Sequence, residues 1–153
     1  MVGKTKRGKG TKIMVLSDGN GIPMAALTES ASVHEVKLIE QTMAQVRVPR
    51  RGRGRPKKRL KRLIYDKAAD SDALRKRLRR GGTDLIVPHR MGRVKAPLQD
   101  GRKLRRYRRR WKIERTIAWL QNFRRLVVRY DRSISMFNAQ TQIACTIIAV
   151  NKL

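Results

Sequence analysis

An α/β domain with a mixed sheet is the fold class this sequence predicts, and three observations carry it. Short β-type runs, TKIMVLS at 11–17, LIYD at 63–66 and DLIVPH at 84–89, are interspersed with helix-type segments. A turn sequence, Asp18-Gly19-Asn20-Gly21, joins the first run to a second β-type run over 22–28, which makes a hairpin. The second half of the chain reads as helical, and six of the seven aromatic residues lie between Tyr107 and Phe137. Most of the core is therefore expected there, in one domain spanning 1–153.

Taken in order, residues 1–10 are rich in Gly and Lys and read as a basic, mobile start that includes Lys6 and Arg7. In the turn, Asp18 is best explained as bonding its own backbone. Ser32 with Glu35 three residues on forms a capping box for a first helix, whose apolar face is Val36, Ile39, Met43 and Val46. His34 sits in its first turn and reads as a surface or packing residue. Residues 49–62 form a basic loop: nine of the thirteen residues from Arg50 to Arg62 are basic, and Gly52, Gly54 and Pro56 prevent helix. Its centre, Arg53-Gly54-Arg55-Pro56, resembles an AT-hook, a slim ribbon suited to a narrow minor groove, although phosphate contact explains such a loop more simply.

The run 63–66 is a strand ending in a carboxylate, Asp66. A second helix then covers 73–80, capped by Asp70 or Ser71 and closed by Gly81-Gly82. Asp70 and Asp72 read as helix-start residues that match the dipole. A polar crossover, 90–102, leads to 104–130, LRRYRRRWKIERTIAWLQNFRRLVVRY, which has no Pro or Gly and is expected to be one long helix. Within it Glu114 is the single acid, while twelve basic residues lie between 101 and 130. Tyr107, Arg110, Glu114, Ala118 and Gln121 fall on one stripe at helical spacing, beside an apolar band of Ile113, Ile117, Leu120 and Val127 fit to pack on a sheet. A closing helix over 136–153 is expected to bury Phe137, Ile143, Ala144, Ile147 and Ile148.

Charge narrows the partner. The chain carries 39 basic against 11 acidic residues, a net charge of +28. Self-repulsion on that scale is best relieved by a polyanion, so nucleic acid is the expected partner. No apolar run reaches the 18 residues a membrane span needs, no signal peptide is visible, and a cytoplasmic, nucleoid-associated protein is the default expectation. The single cysteine, Cys145, excludes an internal disulfide and reads as core.

Tyr107-x2-Arg110-x3-Glu114, with Gln121 seven residues after Glu114, resembles the Y-R-E-K signature of bacterial insertion-sequence DDE transposases, nearest to the insertion-sequence family numbered five. Three blocks in the right order carry the likeness over nearly the whole chain: 3–23, 62–78 and 100–132. Gln121 stands where the family has Lys. The resemblance implies an RNase H-like fold, and the order of elements matches such a domain without its first strand. It also implies DNA transposition by metal-dependent strand cleavage and strand transfer, with Mg²⁺ or Mn²⁺ held by carboxylates. Asp66 and Glu114 then fit the second and third acids, as metal ligands and catalytic residues. Arg110 would clamp a phosphate and Tyr107 would donate a hydrogen bond there. The implied partners are double-stranded DNA, as insertion-sequence ends and target, together with an N-terminal portion of the same transposase and a second copy acting on paired ends. Residues expected to meet the DNA are Lys6, Arg7, Arg51, Arg53, Arg55, Lys57, Lys58, Arg105, Arg106, Arg109, Arg110 and Gln121.

The family's first Asp lies upstream of the block that begins at Gly3, and no acid precedes Asp18. A frameshift product, a fragment and a decayed remnant all fit that start. The alternative function is a DNA-binding protein or regulator of transposition without catalysis. An RNA-binding role rests on charge alone and leaves the Tyr107–Arg110–Glu114 stripe unexplained.

Overall fold

In the computed structural model, residues 3–5, 8–49 and 52–152 are described. They form an α/β protein that divides into two compact units, residues 1–58 with 112–153, and residues 59–111. Lys6, Arg7 and Arg51 lie outside the described residues.

The first unit is built on a three-stranded antiparallel sheet in the order β1 (Gly3–Thr5), β2 (Gly8–Ser17), β3 (Pro23–Ser30). The strands therefore begin earlier than 11, and residues 3–5 and 8–10 are paired rather than mobile, with Gly3 opposite Gly10. Val15 pairs with Ala26 and Met14 with Leu27, so alternation sends one set of side chains to each face. Helix α1 (Glu35–Ala44) packs against β2 and β3. Its cap is His34, whose Nδ1 accepts from the Val36 N–H, while Ser32 Oγ bonds Ser30 Oγ instead of forming the capping box. Its buried side is Leu38, Ile39 and Thr42, continued by Val46; Val36 and Met43 are half-buried.

Three further helices complete this unit: α4 (Trp111–Gln121), α5 (Arg124–Val127) and α6 (Ile134–Lys152), with α3 (Gly101–Leu104) in the other unit. Leu120, Ala144, Cys145 and Ile148 bury against Ala26 of β3, and the Gln142 side-chain amide donates to the Ala26 carbonyl. Burial pushes the Cys145 thiol up to about 11, which suits core and not nucleophile. The apolar band of α4 is narrower than its spacing suggests. Leu120 is buried, but Ile117 and Val127 are exposed and border an open cavity of about 330 Å³ over Thr11, Ile13 and Val15. In α6, Phe137, Ala144 and Ile148 are buried as expected, whereas Ile143 and Ile147 face outward. The C-terminal half does not hold most of the core; much of the buried apolar set lies in β2, β3, α1 and the second unit.

The turn at 18–21 positions α4. Asp18 Oδ1 accepts from the Asn20 and Ile22 N–H groups, and Gly21 takes φ +85°. Three successive carbonyls of this turn are then held by α4: Gly19 by Lys112 Nζ, Asn20 by Arg115 Nη2 and Gly21 by Thr116 Oγ1. Those donors stand at i, i+3 and i+4, one helical face. A Cβ on Gly21 would sit 3.2 Å from the Lys112 carbonyl, so the approach needs glycine twice over. Thr116 is fully buried, and Thr116→Val keeps its shape while leaving the Gly21 carbonyl unpaired. The expected loss is about 1–3 kcal/mol in denaturant unfolding, against less than about 0.5 kcal/mol for Thr116→Ser. Equal losses for the two variants would show that packing, not the hydrogen bond, matters here.

The second unit holds a two-stranded parallel sheet, β4 (Arg62–Ile64) with β5 (Asp84–Ile86), joined through a 3₁₀ turn at Lys67–Ala69 and helix α2 (Asp72–Arg80). Ser71 caps α2 through the Leu74 N–H, and Gly82, at φ +78°, ends it. Antiparallel and parallel pairing both occur, in two sheets rather than one mixed sheet among the described residues.

The stretch 104–130 is not one helix. Arg105–Arg110 is a 3₁₀ segment between α3 and α4, and the chain turns again at Asn122–Phe123 before α5. Five of the six residues 105–110 are arginines with no acid among them, and none is buried. Packing therefore does not offset their repulsion in an α-helix. At three residues per turn, Leu104, Tyr107 and Arg110 share one side and are half-buried, while Arg105, Arg106, Arg108 and Arg109 are exposed.

Candidate carboxylate site and nucleic-acid interface

Asp66 is delivered by the end of β4. The Tyr65 N–H donates to the Ile86 carbonyl, which extends the parallel ladder by one residue and leaves Asp66 at its C-terminal edge. One carboxylate oxygen is used locally, accepting from the Ala68 N–H at 2.6 Å as cap of the 3₁₀ turn. The other lies 3.9 Å from Arg110 Nη1, and the Arg110 guanidinium sits over the Tyr107 ring at 5.9 Å. Three residues singled out from the sequence thus come together: Asp66, Tyr107 and Arg110. The pair is half-exposed and contributes little to stability, so its consequence is orientation of the carboxylate.

Glu114 lies in the first turn of α4 and is exposed, on the helix that the 18–21 turn fixes. Among the described residues no three His, Cys, Asp or Glu side chains gather as a metal site. Gln121, the last residue of α4, is exposed and lines the cavity over β2.

The basic loop is closed at its base by an antiparallel pair, Val48 with Lys57, which exchange two backbone hydrogen bonds at 3.0 and 2.8 Å. Beyond that neck Arg53, Gly54 and Arg55 are exposed, as are Lys57 and Lys58. In the second unit Arg105, Arg106 and Arg109 likewise face outward and present their cations to solvent.

What sequence reasoning missed is a buried ionic cluster centred on Asp70. Its Oδ1 accepts from Arg75 Nη2 at 2.8 Å and lies 3.1 Å from His89 Nδ1, and its Oδ2 accepts from the Arg90 N–H at 2.8 Å. Asp70 is thus a hub rather than a helix-start residue. Arg75 also donates to the Leu85 and Val87 carbonyls and to Gln99 Oε1. The Leu98 N–H donates to His89 Nε2, which leaves the ring proton on Nδ1, facing Asp70. Burial alone would raise the Asp70 pKa; the Arg75 guanidinium, the Arg90 amide and His89 outweigh it and bring it to about 2. Nearby, Arg93 grips both Asp72 oxygens, at 2.8 and 2.9 Å, and holds that carboxyl below its usual range. The available signal was Arg75 itself, next to Leu74 on the buried face of α2.

The family described as the Transposase DDE domain matches residues 2–149. The chain is also similar to "Putative transposase for insertion sequence element IS402" of Burkholderia cepacia, 32% identical over 144 residues. That match covers 94% of this chain and 64% of the relative, so the chain spans just under two thirds of that protein's length. No solved structure matches. A chain matched from end to end by this family, with Asp66 at a strand end beside Arg110 and Tyr107, belongs to the DDE transposases of bacterial insertion sequences.

Proposed function

We propose that this chain is the C-terminal part of the catalytic domain of an insertion-sequence DDE transposase, of the family numbered five. In this reading it contributes Asp66 and Glu114 to a site for strand cleavage and strand transfer, completed by an Asp-bearing strand from an upstream portion of the protein. The observation that carries it is Asp66 at the end of β4, facing Arg110. An RNase H-like fold fits the change from antiparallel pairing in the first unit to parallel pairing in the second.

Membership implies divalent-metal chemistry, and we assign Mg²⁺ or Mn²⁺ as the ion. The described residues do not form a complete site for one: no three ligand-type side chains cluster, and one Asp66 oxygen is committed to its cap. The roles derived for this chain are therefore binding and positioning. Arg110, stacked on Tyr107, orients Asp66. Arg105, Arg106 and Arg109, with Arg53, Arg55, Lys57 and Lys58, meet the phosphates of double-stranded DNA at insertion-sequence ends and target. Lys6, Arg7 and Arg51 join them on charge, and Gln121 joins them as a polar group at the end of α4.

The absence of a three-acid cluster among the described residues favours a second reading for the chain by itself, a DNA-binding regulator without catalysis. Strand cleavage of a duplex carrying the element's end, with Mg²⁺ or Mn²⁺, separates the two. The chain is tested as it stands and again joined to the upstream portion that restores the first Asp. Cleavage only after restoration is the expected result. Binding without cleavage in both forms would establish the regulator and overturn the catalytic assignment.

A further inference from the structure

Helix α6 is apolar on two opposite faces. One is buried through Phe137, Ala144 and Ile148. The other is exposed: Met136 at 56%, Ile143 at 59%, Ile147 at 42% and Val150 at 67%, with Ala139 also exposed between them. Met136, Ile143 and Val150 recur every seven residues, with Ala139 three after the first and Ile147 four after the second. That is the spacing of a helix–helix seam, about 21 Å long at 1.5 Å per residue. A helix apolar all round is one that another element covers.

Charge indicates which element. Residues 133–151 contain no Asp, Glu, Lys or Arg, the longest uncharged run in a chain of net charge +28. Two copies meeting elsewhere would set arginines against arginines; along α6 they meet without opposed charges. The stripe is also self-complementary. Laid antiparallel about Ile143, it places Met136 against Val150 and Ile147 against Ala139, the second pair setting large against small. Such an arrangement satisfies a two-fold axis and aligns the helix dipoles favourably. A parallel pairing would set Ala139 on Ala139, leaving a gap, and Lys152 on Lys152.

We propose that the outer face of α6 is the seam of a homodimer, two copies packing antiparallel along Met136, Ala139, Ile143, Ile147 and Val150 with the two-fold axis near Ile143. The proposal rests on this surface and not on the catalytic reading.

Sedimentation velocity across a dilution series tests it. The expected particle has twice the chain's 17.7 kDa. Because the charged remainder repels, association should strengthen as salt is raised from about 0.1 M to about 1 M, where the Debye length falls from about 10 Å to about 3 Å. DNA binding weakens over the same range. Ile143→Glu should leave a folded monomer, with the helical circular dichroism of the parent. Met136→Glu and Val150→Lys should each weaken the dimer at least tenfold, and the double variant should recover it, since antiparallel register sets one against the other. Ile143→Cys should cross-link two copies on mild oxidation. A monomer at every concentration, a dimer indifferent to Ile143→Glu, or a double variant no better than the singles would overturn the seam. So would a longer form, joined to its upstream portion, that stays monomeric while the thiol introduced by Ile143→Cys is protected from a thiol reagent.

Discussion

Arg75→Met lowers the unfolding free energy by about 3–5 kcal/mol at neutral pH, the loss seen when one partner of a buried ion pair is removed. The side chain is 8% exposed, and its two terminal nitrogens serve Asp70, Gln99 and the carbonyls of Leu85 and Val87. Methionine fills much of the same volume but supplies none of those donors, and it leaves a 4% exposed carboxylate facing only His89 and the Arg90 amide. The pH dependence identifies the cause. The folded-state pKa of Asp70, about 2, lies below its ordinary value of 3.8. Its ionisation therefore stabilises the fold above about pH 4, by about 2 kcal/mol, and that contribution is lost as pH falls toward 2. In Arg75→Met burial is no longer outweighed, so the Asp70 pKa rises and the gap from the parent narrows as the pH is lowered from 7 to 3. Urea midpoints measured at both pH values check this. A gap unchanged between them would mean that Arg75 acts by packing alone.

The cluster also shows how far the sequence could be read. Asp66 at a strand end, the Ser71 cap, the Asp18 turn and the β2–β3 hairpin follow from local rules, because each is fixed by residues within a few positions of one another. Asp70, Arg75, His89 and Gln99 are joined across as many as 24 positions, and no periodicity marks the partners of a buried arginine. The 104–130 stretch failed for a different reason. Absence of Pro and Gly permits a helix but does not stabilise one, and Arg105–Arg110 have neither acids among them to neutralise them nor a buried face. Tyr107 and Arg110 still share a side because a separation of three suits a 3₁₀ segment as well as an α-helix. On α6 the spacing of apolar residues was legible, yet it could not tell the face buried against β3 from the one left outside.

Asp66→Asn in the transposase joined to its upstream portion should abolish strand cleavage while leaving folding and DNA binding in place. Asparagine caps a turn about as well as aspartate, so its side-chain oxygen can still accept from the Ala68 N–H. The half-exposed contact with Arg110 at 3.9 Å contributes at most about 1 kcal/mol. Stability should therefore move by no more than about 1 kcal/mol. What changes is one negative charge at the end of β4. If that charge serves the reaction, its removal costs several kcal/mol of transition-state stabilisation, a loss of about 10²- to 10³-fold or more. Asp66→Ala is the less informative variant, because it also removes the cap and about 0.5–2 kcal/mol of stability with it. Glu114→Gln should behave like Asp66→Asn, since Glu114 is exposed on a helix that Lys112, Arg115 and Thr116 hold to the turn at 18–21. Binding to the element's end should survive both changes and tighten slightly, as each removes a negative charge from a surface that meets phosphate. Cleavage at the parent rate by either variant would take that residue out of the site. Loss of binding together with cleavage would make it a structural or DNA-positioning group instead.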